Sequence, residues 1–300
     1  MKVVIAGGSG FLGRELADHF KGENEVVIFT RGASKVLDNI KFVQWDGSTI
    51  GDWRNEMEGV ELLINLTGKS VDCRYTDENK KEIIRSRVDS TNILGEVVET
   101  LKNPPRVWLN SSTATIYRYS EDKEMDEENG EIGNDFSMNV AKAWEEVFYA
   151  SNTPKTRKVA LRISLVLGIS GGVYPVLRRL AKFGMAGKMG TGKQRFSWIH
   201  IEDLLRAIDH IIENEDIEGP VNCTAPEIPA NGEFMKGLRK SLKVPIGIPQ
   251  PKILLKIGGF IIRTESELIL KSRWVIPKKL QEQGFKFQYS DPESALKNLS

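Results

Sequence analysis

Residues 3–7 (VVIAG) form an unbroken apolar run that passes into Gly7-Gly8-Ser9-Gly10-Phe11-Leu12-Gly13, and this opens an amphipathic stretch in which Leu12, Leu16 and Phe20 recur at helical spacing. A buried strand, a glycine-rich turn and a helix in that order constrain the fold more than any other feature of the chain. Gly7 permits the tight turn, Gly10 lets the backbone approach a pyrophosphate, and Gly13 allows the helix to pack closely on the strand. Ser9, Phe11 and Leu12 complete the turn, whose free N–H groups and helix dipole suit an anion. The expected occupant is a dinucleotide.

The same strand signal returns at Glu25–Arg31, Ile40–Asp46, Val60–Gly68, Val107–Ser112 and Lys158–Gly168. Helical patterns intervene at about Asp77–Leu101 and Phe136–Ala150, and a further helix and short strand are expected at Ile201–Asn214 and around Val221. Alternation of this kind predicts an α/β fold with a doubly wound parallel sheet. The glycine-dense stretch 169–196 reads as an excursion, and helical patterns at Gly232–Leu242 and about Glu265–Arg273 read as parts of a smaller C-terminal lobe. The expected division is 1–168 with 197–225 for the sheet, and 169–196 with 226–300 for the lobe.

Composition narrows the function classes. Forty-two Lys+Arg stand against 41 Asp+Glu, so no general affinity for nucleic acid is expected. Two cysteines, Cys73 and Cys223, offer no disulfide framework or zinc spacing, and no secretory leader is visible, which points to the cytoplasm. The apolar stretch Ile253–Ile262, interrupted by Lys256 and two glycines, is too short for a membrane span. Residues 252–279 hold seven Lys/Arg against two Asp/Glu, with apolar residues between them that read as packing for the lobe, the alternative being contact with a membrane surface or an acidic partner. Residues 121–135 hold eight acids and one lysine and read as a solvated or mobile loop.

At the end of the second strand a carboxylate would accept a ribose hydroxyl, whereas a cation would pair with a 2′-phosphate. This chain has Thr30-Arg31, with Lys35 close behind. The guanidinium fork matches a phosphate, so NADP(H) is expected rather than NAD(H).

GGSGFLG at 7–13, SSTATIY at 111–117 and RFSWIHIEDLLRAI at 195–208 resemble the extended short-chain dehydrogenase/reductase and nucleotide-sugar epimerase superfamily. NLTG at 65–68, KEIIRSRVDST at 81–91, FSMNVAKAWE at 136–145 and VIPKKLQEQGFKF at 275–287 resemble, more narrowly, its atypical YfcH-type epimerase family protein group. That resemblance implies an NADP(H)-binding Rossmann domain with a small C-terminal domain. It implies cofactor contacts from Leu66 and Thr67, with Gly68 ending the same strand, from Glu82 and Arg87 on the long helix, and from Val166.

Active superfamily members hold a substrate oxygen with Ser/Thr and move a proton with a Tyr-x-x-x-Lys pair on a helix. Thr113 matches the first position. Counting back from Lys142, the tyrosine slot is Met138; aligned instead on Glu145, it is Ser137 with Ala141 in the lysine slot. Tyr119 to Lys123 has the spacing but falls in the acidic loop, so Tyr117 is the candidate acid, the alternative for it being a packed aromatic at a strand end. The arginine with which nucleotide-sugar epimerases hold a pyrophosphate is Phe196 here, which argues against a UDP-sugar. Gly187–Gln194 nearly spells a P-loop but ends in Gln, and the sequons at Asn65, Asn110 and Asn222 carry no meaning without secretion. The expectation is therefore an NADP(H)-dependent oxidoreductase or epimerase acting on a small molecule of unspecified identity, with oligomeric state open. The alternative is a non-catalytic NADPH sensor acting through a protein partner.

Overall fold

The computed structural model describes residues 1–253 and 271–300. Its main sheet uses β1 (Lys2–Ala6), β2 (Glu25–Thr30), β3 (Lys35–Leu37), β4 (Ile40–Gln44), β5 (Leu62–Asn65), β6 (Val107–Thr113), β7 (Arg157–Ile163) and β10 (Gly219–Cys223). The strand order is β10-β7-β6-β5-β1-β2-β4-β3, parallel except for β3 on β4. Residues of β1 are fully buried from Val3 to Ala6, yet they alternate between two cores: Val3 and Ile5 pack on one face, Val4 and Ala6 on the other. Burial on both faces explains why the run reads as continuously apolar. Helices α1 (Phe11–Phe20) and α5 (Ile201–Glu213) contribute to the first core, and α2 (Asp77–Thr100) and α3 (Phe136–Ala150) to the second.

The chain winds outward from β1 through β2 on one side and from β5 through β6 on the other. That reversal opens a crevice beyond the carboxyl ends of β1 and β5, where ligands bind in sheets of this kind.

One expectation is corrected and two gain detail. The stretch Lys158–Gly168 is two strands, because Ser164 turns its N–H and hydroxyl to the Cys223 carbonyl and sends β8 (Leu165–Leu167) into a separate parallel pair with β9 (Trp198–His200). The glycine-dense excursion holds a helix, α4 (Tyr174–Lys182), begun by a proline in its first turn. The acidic segment is largely exposed, as expected of a solvated loop, but it is also fastened down: Glu127 accepts from the Asn222 and Lys279 amides, the Met125 amide bonds to Trp274, and Glu131 pairs with Arg118 and Lys123. The lobe adds α6 (Asn231–Ser241), α7 (Lys278–Glu282) and α8 (Pro292–Asn298). The expected helix at about Glu265–Arg273 and most of the stretch 252–279 lie outside the described residues.

Candidate functional site

The turn after β1 is built by steric exclusion. Gly7 has φ +74°, and a Cβ there would lie 2.9 Å from the Thr67 backbone. A Cβ at Gly13 would run into the Gly8 carbonyl, which is the close helix–strand contact its position predicts. Gly10 differs: a Cβ there would meet nothing within 4 Å, and no side chain caps α1 at this residue. Open space thus borders Gly10 at the start of α1, whose first N–H groups have no side-chain cap. Ser9 lies exposed in this turn, Leu12 packs toward the first core, and the Phe11 ring fills the space beside Gly168, Gly171 and Gly172.

Across the crevice, Leu66-Thr67-Gly68 leaves β5. Asn65 shapes that exit, since its Oδ1 accepts from the Thr67 amide at 3.0 Å while its Nδ2 donates to Asn110 at 2.7 Å and Thr91 at 3.0 Å. The Thr67 hydroxyl is buried without a hydrogen-bond partner. Arg87 supports the loop from beneath, donating to the Lys69 and Ile83 carbonyls with its guanidinium 4.9 Å from the Trp144 ring. Burial holds it below the ordinary arginine range, at about 10. Glu82, five residues earlier, is turned away to pair with Arg85. Arg31 is exposed beyond β2, and Thr30 Oγ1 accepts from the Gly32 amide. Lys35 lies on β3 with its ammonium 5.2 Å from the Phe42 ring, so it leans over its own hairpin. Val166 is buried on β8, and its carbonyl accepts from the Val173 amide.

Thr113 ends β6 half-buried, sharing a 2.9 Å hydrogen bond with the Thr115 hydroxyl. Tyr117 is not placed to serve as an acid. Its side chain is fully buried; the hydroxyl donates to Asn222 at 2.9 Å and accepts from Arg162 at 2.7 Å. Burial pushes its pKa up to about 12 even beside Arg162. It is a packed aromatic tied into a polar core. Lys142 donates to Asn134, and Met138 is buried four residues before it. Tyr119 and Lys123 bind Glu121 and Glu131, away from one another.

Sequence reasoning missed Asn65 and Asn110. Both were visible as amides inside apolar strand runs, positions where a buried polar group must find partners. With Asn222 they are the sequon asparagines, and all three are fully buried. His200 caps α5 through Nδ1, and Gly187–Gln194 is a loop held by Asn231. No metal-binding cluster and no helix able to cross a membrane occurs among the described residues.

Residues 3–223 match the NAD dependent epimerase/dehydratase family, and residues 250–299 match a domain of unknown function, DUF1731. The chain is 32% identical over 301 residues to epimerase family protein YfhF of Bacillus subtilis, covering 100% of this chain and 98% of that protein. It is 31% identical to the Arabidopsis thaliana epimerase family protein SDR39U1 homolog, chloroplastic, over 100% and 86% of the two chains. Its fold superposes on human epimerase family protein SDR39U1 (isoform2) with NADPH, with a TM-score of 0.87, 26% identity, and coverage of 100% and 99%. A UDP-N-acetylglucosamine 4-epimerase from Bacillus cereus shares the fold at 16% identity and a TM-score of 0.77. Glycine turn, crevice and sequence relationship converge: the chain belongs to the NAD dependent epimerase/dehydratase family.

Proposed function

We propose that this protein binds NADP(H) in the crevice and acts as a short-chain oxidoreductase on a small molecule. The observation that carries the reading is the cradle at Gly10: open space before an uncapped helix N-terminus, across from the unpartnered Thr67 hydroxyl. Gly7, Ser9, Gly10 and Gly13 would admit the pyrophosphate, Arg31 with Thr30 would take the 2′-phosphate, and Leu66, Thr67, Gly68, Arg87 and Val166 would line the rest. The human relative described with NADPH supports the phosphorylated cofactor. Glu82 and Lys35 would have to leave their present partners to take part. When bound, the cofactor supplies a hydride. Thr113 would hold a substrate oxygen. Residues 169–196 and 226–300 would form the substrate side, and 1–168 with 197–225 the cofactor side. The free cysteines support a cytoplasmic setting.

A second reading, a non-catalytic NADPH sensor, is favoured by the buried Tyr117 and by Met138 in the tyrosine slot. Titration tests the shared premise: NADPH should bind at least tenfold more tightly than NADH, and Arg31→Ala should erase that difference. Equal affinities in the parent protein refute the cofactor assignment.

A further inference from the structure

We propose that the outer face of the C-terminal lobe docks on an anionic lipid bilayer. The chain has 41 acids, yet none falls between residues 169 and 201 or between 234 and 264. The fold brings the described parts of these stretches together. The Ile248 amide donates to Gly184 at 2.8 Å, the Gln250 amide to Lys188 at 2.9 Å, and the Gly190 amide to Gln250 at 2.8 Å.

This ribbon presents large apolar side chains to solvent. Phe183 and Ile253 are each 71% exposed, Ile246 64% and Ile248 54%, and Val176 and Met185 are exposed beside them. Arg179, Lys182, Lys188, Lys243 and Lys252 are exposed between them, and none pairs with a carboxylate among the described residues. Val176 and Arg179 lie one turn apart on α4, and Phe183 follows immediately past its end. Single apolar tips set among cations are the composition that enters the headgroup region shallowly while the ammonium and guanidinium groups meet phosphates. A second copy is disfavoured by the same charge, since a twofold contact would set these cations against one another with no acid paired to them among the described residues.

The proposal does not depend on the cofactor reading and is tested apart from it, by co-sedimentation with vesicles. The intact protein should sediment with equimolar phosphatidylglycerol and phosphatidylcholine at low salt, fail to do so with phosphatidylcholine alone, and be released near molar salt, where screening shrinks to about 3 Å. Phe183→Ser with Ile248→Ser, and separately Lys182→Glu with Lys243→Glu, should each weaken binding at least tenfold. Their melting temperature and NADPH affinity should match the parent's, whatever that affinity is. No sedimentation with the anionic vesicles overturns the proposal, as does sedimentation indifferent to both variants. Self-association lost in the serine variant without vesicle binding, or retention on polyglutamate alone, overturns it in favour of a second copy or an acidic peptide.

Discussion

Arg162 on β7 and Glu145 on α3 meet in a two-pronged ion pair, Nε to Oε1 at 2.9 Å and Nη2 to Oε2 at 2.8 Å, with both side chains about nine-tenths buried. Ser112 donates to the same carboxylate at 2.6 Å, and Tyr117 joins from the arginine side. Burial opposes the guanidinium charge, and Glu145 more than restores it. Glu145→Ala would leave a buried cation unpaired, and urea unfolding should show a loss of about 3–5 kcal/mol. Tyr117→Phe should cost about 1–3 kcal/mol through the partners it strands, with NADPH affinity unchanged. Full stability combined with lost turnover would return Tyr117 to the chemistry.

The two glycines of the turn should fail in different ways. Gly10→Ala adds a methyl group where no protein atom lies within 4 Å. Its melting temperature should stay close to the parent's, while NADPH affinity falls at least tenfold, about 1.4 kcal/mol. Gly13→Ala meets backbone, so it should lower stability and binding together. Calorimetry beside a fluorescence titration separates the two, and an unimpaired Gly10→Ala protein would place the pyrophosphate elsewhere.

His200 supplies a pH dependence. Burial holds its pKa below the ordinary 6.5, against the opposing pull of Glu202 and Asp203. The unfolded chain therefore takes up a proton that the folded chain resists, and stability should fall as pH drops below about 6.5 toward the folded pKa. The depressed carboxylates act only lower, below about 4.5. His200→Asn keeps a capping acceptor for α5 and should flatten the slope of denaturant midpoint against pH between about 6.5 and 5. An unchanged slope would mean that His200 titrates normally.

Thr113→Ala tests the catalytic reading. Across a panel of carbonyl compounds, loss of NADPH oxidation with unchanged NADPH affinity is the outcome for an enzyme. Tight binding with no turnover in the parent protein is the outcome for a sensor.

The glycine turn was legible because each glycine answers a separate steric demand, and α3 was legible because Met138, Ala141, Trp144 and Phe148 recur at helical spacing, with Glu145 the one charged residue buried among them. The division of β7 from β8 was not. Ser164 sits inside an apolar run, and what breaks the strand there is a carbonyl 59 residues away. The hairpin of β3 rests on Asp38 and Asn39 at positive φ, a turn signal between the exposed Val36-Leu37 and the buried Ile40. Most of the acidic segment is solvated, as its composition suggests, but composition cannot show that Glu127 has two backbone amides waiting for it. The surroundings of Tyr117 were not legible for a related reason: SSTATIY identifies a strand end, whereas the direction of its last side chain is set by Arg162 and Asn222 on neighbouring strands.

The break at Ser164 also bears on how such a protein could be recombined. Three passages of the chain between sheet and lobe are clasped together, Ser164 to Cys223, Leu165 to Ser197 and Ala225 to Trp198. The core beyond them mixes Tyr174, Leu177 and Met189 with Phe234, Leu238 and Leu296. A graft that moved only residues 226–300 onto another sheet would carry half of a core and none of its clasp. The lobe is inheritable only together with the strand that leaves the sheet to reach it.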